Sequence, residues 1–210
     1  MLPQEQGVCL RCLAELPRVH AEGANNEVER RIFGRIPFEH ATSFCYYTAE
    51  GPFGGIIRRS KFGNQPWFNA HLTRLFVQEL SLSPESGWPY DIDVIVPVPL
   101  HLIRLLFRGY NQVMPIAETL SNAWHLPIET QCLYKRRYTT TQVGLSAQER
   151  RSHEEGSFGV RHPERLAGRH VLLVDDVLTT GATLMAASDA LLAAAPGIRI
   201  SILTLSLAQS

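Results

Sequence analysis

VLLVDDVLTTGAT, residues Val171 to Thr183, joins an apolar strand, an acidic pair and a phosphate-sized turn without a break. Val171 to Val174 is uninterrupted apolar sequence, the pattern of a strand in a parallel sheet covered on both faces. Asp175 and Asp176 then emerge at the strand's carboxyl end, where open α/β sheets bind ligands. Two adjacent carboxylates there can accept hydrogen bonds from neighbouring sugar hydroxyls. Thr179, Thr180, Gly181, Ala182 and Thr183 add hydroxyls, a residue able to take positive φ, and N–H groups at the start of a helix. Such a turn suits a phosphate. A strand that merely ended in a solvated acidic turn would not need Gly and Thr at fixed offsets from the acids. A signalling receiver domain can also end a strand in paired acids, but it needs several further βα units. Only 34 residues follow Asp176 in this chain of 210, enough for one helix and one strand.

Working outward, Ile198 to Leu205 reads as a second parallel strand, with Leu184 to Ala194 as the helix between. Asp93 to Val98 is a strand closed by Pro97 and Pro99, and Leu100 to Gln112 reads as a turn. Val113, Ile116, Ala117, Leu120 and Trp124 fall on one helical face, and Pro115 limits where that helix can begin. Ile128 to Tyr134 is expected as a strand, and Lys135 to Gly156 as a long polar loop. Earlier, Phe38 to Tyr47 has strand composition. Phe68, Leu72, Leu75, Phe76 and Leu80 form a core-packing stripe on a helix capped by Asn64, with Pro66 in its first turn. Ser81 to Asp91, rich in Ser, Pro and Gly, reads as a join. The expected organisation is residues 1–90 as a small N-terminal hood and 91–210 as the main α/β domain, a parallel sheet flanked by helices.

Composition excludes several classes. Hydrophobic content of 45% is that of a folded globular chain. Twenty basic residues balance twenty acidic ones, so no global field draws the protein to nucleic acid or anionic membrane. The start, MLPQEQGVCLRC, lacks a basic and an apolar signal region, and no apolar run is long enough to span a bilayer; a cytoplasmic protein is expected. Cysteines at 9, 12, 45 and 132 do not make a secreted disulfide framework.

The Val171–Thr183 run matches the phosphoribosyl pyrophosphate (PRPP) signature of type I phosphoribosyltransferases, and three further segments resemble the ComF-like branch of that family. VPVPLHLIRLLFRGYNQ, Val96 to Gln112, is similar to the branch's pyrophosphate-side loop and RGxNQ element. There Arg104 and Arg108 can set guanidinium groups beside a diphosphate, Gly109 lets the backbone come close, and Asn111 and Gln112 offer amides. KRRYTTTQVGLSAQERRS, Lys135 to Ser152, is similar to the mobile loop, with Arg136, Arg137, Thr139, Gln142, Leu145, Ser146 and Arg150 in the pattern. Long structureless loops in compact domains often act as lids. Lys135 stands where relatives carry Arg, which keeps the charge and loses the bidentate fork, and His153 stands where Asn is expected. CLRCLAELP resembles the second half of a zinc knuckle whose first CxxC is missing. Cys9 and Cys12 supply two of about four ligands that structural zinc needs, so no tightly held zinc is expected unless Cys45, His20 or His40 completes the shell. Cys132 reads as an ordinary buried cysteine.

The resemblance implies a type I phosphoribosyltransferase fold in which Asp175 and Asp176 hold the ribose hydroxyls and Thr179 to Thr183 hold the 5′-phosphate. Arg108 and Lys135 would act on the pyrophosphate side. Magnesium would enter with PRPP, whose oxygens supply most of its ligands, so no protein cage is required. A nitrogen acceptor, base or amine, would displace pyrophosphate, with the acceptor pocket built from the hood near Lys61 and Phe62. Arg58, Arg59 and Lys61 read more readily as a solvated helix face. The competing reading is a non-catalytic module that senses PRPP or a nucleotide and serves DNA uptake. Single-stranded DNA, competence proteins and a second copy of the chain stay open as partners.

Overall fold

The computed structural model describes residues 14–19, 26–47, 66–83, 87–136 and 156–209. Asn26 caps helix α1 (Glu27–Ile32) by accepting from the Glu29 N–H, and its amide donates to Ala41 O at 2.9 Å. That bond and one from Ala41 N–H to Glu29 Oε1 tie α1 to the start of strand β1 (Ala41–Tyr47). Helix α2 (Pro66–Leu82) buries Phe68, Leu72, Phe76 and Leu80, the expected stripe; its expected cap, Asn64, lies outside the described residues. Strand β2 (Val94–Pro97), helices α3 (Leu102–Arg108) and α4 (Met114–Trp124), and the short strands β3 (Leu133–Lys135) and β4 (Phe158–Val160) follow. Strand β5 (His170–Leu178), helix α5 (Ala182–Ala194) and strand β6 (Arg199–Ala208) complete the order.

The sheet runs β1-β6-β5-β2, with every neighbouring pair parallel. Side chains alternate along each strand, so the sheet feeds two cores. Val94, Val96, Val171, Leu173, Ile200 and Ile202 face the layer of α1, α5 and the β3–β4 ribbon. Ile95, Leu172, Val174, Leu203 and Leu205 face α2 and α4. Apolar sequence with no polar alternation is what this double coverage demands. The fold is α/β, a four-stranded parallel sheet flanked by helices.

Within residues 1–90, β1 joins the central sheet beside β6, with Val19 and Pro17 bonded to Phe44 and Tyr46 on its other side, and α2 joins a flanking layer. Three expectations are corrected. Leu100 to Gln112 is not a plain turn but contains α3, with His101 accepting from the Ile103 N–H and Gly109 closing the helix in the left-handed region at φ 81°. Ile128 to Tyr134 is split: Ile128 makes one parallel bridge to Ile95, whereas Leu133 to Lys135 pairs antiparallel with β4. Strand β5 continues through the acidic pair to Leu178 instead of stopping at Val174, since β6 offers partners as far as Leu207.

Candidate functional site

The carboxyl ends of β2, β5 and β6 carry the candidate site. Asp175 lies opposite Thr204 in the β5–β6 ladder, and strand alternation turns Asp175 and Asp176 toward opposite sides of the sheet. A ligand reaching both carboxylates must therefore sit over the strand end. Both acids are nearly enclosed, with 8% and 7% of their surface exposed, and Asp175 Oδ1 accepts from the Asp176 N–H at 2.8 Å. Carboxylates at such low exposure are costly unless hydrogen-bonded or met by cations, so this end of the strand is specialised for charge.

Beyond Leu178, residues Thr179 to Thr183 turn into α5. Gly181 occupies the N-cap at φ 81°, a conformation costly for any residue with a Cβ. A Cβ there would meet only Ile32 and Leu178 at 3.7 Å, so the backbone angle and not space selects glycine. Gly181 also places no side-chain acceptor over the first turn of α5; the contact from Ala182 N–H to Thr180 Oγ1 is a long 3.5 Å. The first N–H groups of a 13-residue helix thus open onto a small concavity, about 20 Å³, lined by Asp175 and Thr179 to Thr183. Helix N-termini of this kind favour anions through their N–H groups and dipole.

Parts of the RGxNQ segment also do structural work. Arg104 and Arg108 are placed on α3, which leaves the same end of the sheet as the phosphate turn. Asn111 is committed to the backbone: Nδ2 donates to Val98 O at 3.1 Å and Oδ1 accepts from the Val113 N–H at 3.1 Å, so it ties β2 to the start of α4. Gln112 is buried, and its carbonyl accepts from Asn69 of α2 at 2.8 Å. Gly109 has nothing within 4 Å of its absent Cβ and forms the left-handed end of α3.

Lys135 closes β3 with its ammonium 5.0 Å from the Phe158 ring centroid, and Arg136 Cζ lies 5.8 Å from the Tyr134 centroid. Gly159 makes this arrangement possible, since a Cβ there would collide with Arg136 and come within 2.6 Å of Tyr134 Cζ. Sequence reading missed Gly159 and also Arg161, whose Cζ stands 4.3 Å from the Tyr134 centroid. A single glycine in a short strand gives no signal until its cross-strand partner is known. Arg137, Thr139, Gln142, Leu145, Ser146, Arg150 and His153 lie outside the described residues, as do Cys9, Cys12, His20, Arg58, Arg59, Lys61 and Phe62.

Of the residues weighed for a zinc shell, Cys45 and His40 are described. Cys45 is buried, its thiol donates to Leu205 O at 3.4 Å, and burial pushes its pKa up to about 11, which opposes the thiolate a metal needs. His40 is stacked on Tyr90 with centroids 3.6 Å apart. Cys132 is fully buried with its thiol on His162 O, as expected. Among the described residues no group of three or more His, Cys, Asp or Glu side chains is placed to hold a metal, and no helix is long and apolar enough to cross a membrane.

One constellation at the opposite end of the sheet has the geometry of a hydrolase triad. His170 Nδ1 is 2.9 Å from Asp91 Oδ1, and Nε2 is 2.8 Å from Ser201 Oγ. Ser201 and His170 have no exposed surface, so no substrate reaches the hydroxyl, and the cluster fastens the strands.

A parallel sheet whose fifth strand ends in two enclosed acids, followed by a glycine-started helix, is the type I phosphoribosyltransferase arrangement. A family profile described as "Phosphoribosyl transferase domain" matches residues 99–208, which include every described element from α3 onward. Within that class the chain belongs to the ComF-like family. It is 36% identical to Competence protein F of Haemophilus influenzae over 137 residues, 63% of this chain and 58% of that protein. It is 34% identical to the DNA utilization protein YhgH of Salmonella typhi over 161 residues, 74% of this chain and 67% of that protein. Competence protein ComFC of Bacillus subtilis is 26% identical over 220 residues, 98% of this chain and 86% of that protein. The chain thus spans just over half the length of the Haemophilus relative.

Proposed function

We propose that this protein binds PRPP with a divalent metal and transfers its phosphoribosyl group to a nitrogen acceptor, releasing pyrophosphate. The observation that carries the reading is the pairing of two enclosed carboxylates on β5 with the uncapped start of α5 four residues after Leu178. Asp175 and Asp176 accept the ribose hydroxyls, and the N–H groups and hydroxyls of Thr179 to Thr183 take the 5′-phosphate. Magnesium, held mainly by the substrate's own oxygens, would supply neutralisation of the diphosphate charge. In the reaction the bond from the anomeric carbon to the diphosphate oxygen breaks, a bond to the acceptor nitrogen forms, and that nitrogen's proton passes to solvent. The chain's own part is positioning: no side chain acts as nucleophile, and the sugar is held over the strand end by both acids. On this reading Lys135 and the α3 residues Arg104 and Arg108 serve the diphosphate.

A second reading, a PRPP-binding module that serves DNA uptake without turnover, is favoured by the names of the relatives, which are competence and DNA utilization proteins. One experiment separates the two. Calorimetry of the purified protein with PRPP, with and without magnesium, is followed by a pyrophosphate-release screen across purines, pyrimidines and ammonia. Metal-dependent binding with turnover of one acceptor class supports transfer. Binding without turnover of any acceptor supports the module. Failure to bind PRPP at all sinks both.

A further inference from the structure

A cavity of about 600 Å³ runs between the β3–β4 ribbon and the outer face of α5, and of the residues assigned to the transfer reaction only Ala182 lines it. Its long wall is α5 from Ala182 to Ala194, about 18 Å of helix at 1.5 Å per residue. The floor is apolar. Ala186, Ala190 and Ala193 present methyl groups only, and Phe158 and Met185 close the sides. Two charges stand over this floor: Arg136 on the ribbon and Asp189 on the helix. Arg136 is not loosely placed, because the missing side chain of Gly159 leaves the slot in which its guanidinium lies beside Tyr134. Among the described residues neither Arg136 nor Asp189 forms an ion pair.

We propose that this cavity binds a nucleoside monophosphate. The planar base lies on the alanine floor of α5, whose methyl groups leave room for a ring. The phosphate meets Arg136, whose planar fork suits a phosphate with two parallel hydrogen bonds. Asp189, an acceptor only, takes hydrogen bonds from ribose hydroxyls or an exocyclic amine. An apolar floor with a few convergent polar groups and a volume in the hundreds of Å³ is the general form of a small-molecule site. The cavity begins at Ala182, the first residue of α5, so its occupant abuts the helix whose N-terminus forms the phosphate turn. It is a different place from the strand end: none of Asp175, Asp176, Thr179 or Thr180 lines it.

The test is titration calorimetry of the full chain with AMP and with CMP, and with inorganic phosphate as the probe for simple anion binding. The expected result is saturable one-to-one binding of at least one nucleotide, at least tenfold tighter than inorganic phosphate. Ala190→Trp, which fills the floor, and the more exposed Ala193→Trp should each weaken nucleotide binding at least tenfold, as should Arg136→Gln. Asp175→Asn with Asp176→Asn should leave nucleotide affinity within twofold. Thermal midpoints and PRPP binding of the tryptophan variants report whether they fold. Loss of nucleotide binding in the double aspartate variant would put the ligand at the strand end and overturn the proposal. So would phosphate and nucleotide binding equally well, nucleotide affinity that survives both tryptophans, or no nucleotide binding at millimolar concentration. The aspartate variant also keeps this result separate from the fate of the PRPP reading, which depends on those acids.

Discussion

The two ends of β5 handle polar atoms in opposite ways. At the amino end, His170 is fully buried and its backbone N–H, Nδ1 and Nε2 meet Asp93, Asp91 and Ser201 at 2.8–2.9 Å. Since an ionised carboxylate only accepts, Nδ1 carries the proton toward Asp91, which Arg199 holds from its other oxygen at 2.6 Å. At the carboxyl end, six residues further on, two acids are nearly enclosed, and the helix behind them starts at a glycine where a serine or aspartate would have capped it. One end joins β2, β5 and β6 through groups that answer one another. The other withholds a cap and concentrates negative charge, which lowers stability and makes sense where a ligand with a phosphate and hydroxyls is to be held.

The largest expected effect breaks the amino end. His170→Ala removes hydrogen bonds to Asp91 and Ser201 and leaves a buried hollow, so urea unfolding should show a loss of about 2–4 kcal/mol. PRPP affinity of the folded fraction should stay near that of the parent protein. An equal loss of PRPP affinity would mean that the two ends are not separable.

At the carboxyl end, Asp175→Asn or Asp176→Asn should weaken PRPP binding by roughly 1–3 kcal/mol through loss of charged hydrogen bonds to the sugar. Stability should hold or rise, because an enclosed charge is removed. Parallel calorimetry and thermal melts read both quantities; a large fall in melting midpoint would make the acids structural.

Gly181→Ala sharpens the comparison further. The new methyl group meets only ordinary contacts, so the cost is the left-handed backbone, about 1–2 kcal/mol in a denaturant melt. Affinity for the 5′-phosphate should fall with it. A neutral effect on both would remove the argument that this φ is imposed by function.

The smallest effect is in pH. Hydrogen bonds from Arg199 and His170 hold the Asp91 carboxyl down at about 2, from an ordinary 3.8. A lowered carboxylate contributes stability that is complete above 3.8 and is lost as pH falls toward 2. Burial lowers His40 from 6.5, so it adds a separate loss as pH drops through 6.5, where the unfolded chain takes up a proton that the folded chain resists. Asp91→Asn should shrink the acidic step in a melt series to the part that Glu129, also held below its ordinary 4.5, contributes, and leave the one near 6.5. An undiminished acidic step would assign it to other carboxylates.

Much of the fold was legible because local pattern and tertiary role coincide. Val171 to Val174 is apolar on both faces and lies centrally; the Phe68 to Leu80 stripe packs as a helix. Legibility failed where a segment's role depends on a distant partner. Strand β5 runs past its apolar core only because β6 continues beside it. The Asp91–His170 contact spans 79 residues and leaves no local trace. Helix α3 was hidden because its apolar residues do not face a core: Leu106 and Phe107 are 84% and 88% exposed, so no inward stripe marks the helix. At the site, the acids and the glycine turn were readable from spacing. The cross-strand slot at Gly159 and the structural commitment of Asn111 were not.

The strand order has a consequence for how the chain is made. β1 lies at an edge and its neighbour is β6, so Ala41 pairs with Ile202 across most of the sequence. A ribosome emits β1 long before its parallel partner exists, and until β6 arrives the strand has only the bonds that Phe44 and Tyr46 make to Val19 and Pro17 on its other side. Closing so long a loop must precede the contacts that reward it, which slows folding. The phosphate turn between β5 and α5 therefore waits for the last strand, and a newborn chain short of β6 holds the whole ligand signature in its sequence with no sheet to aim it.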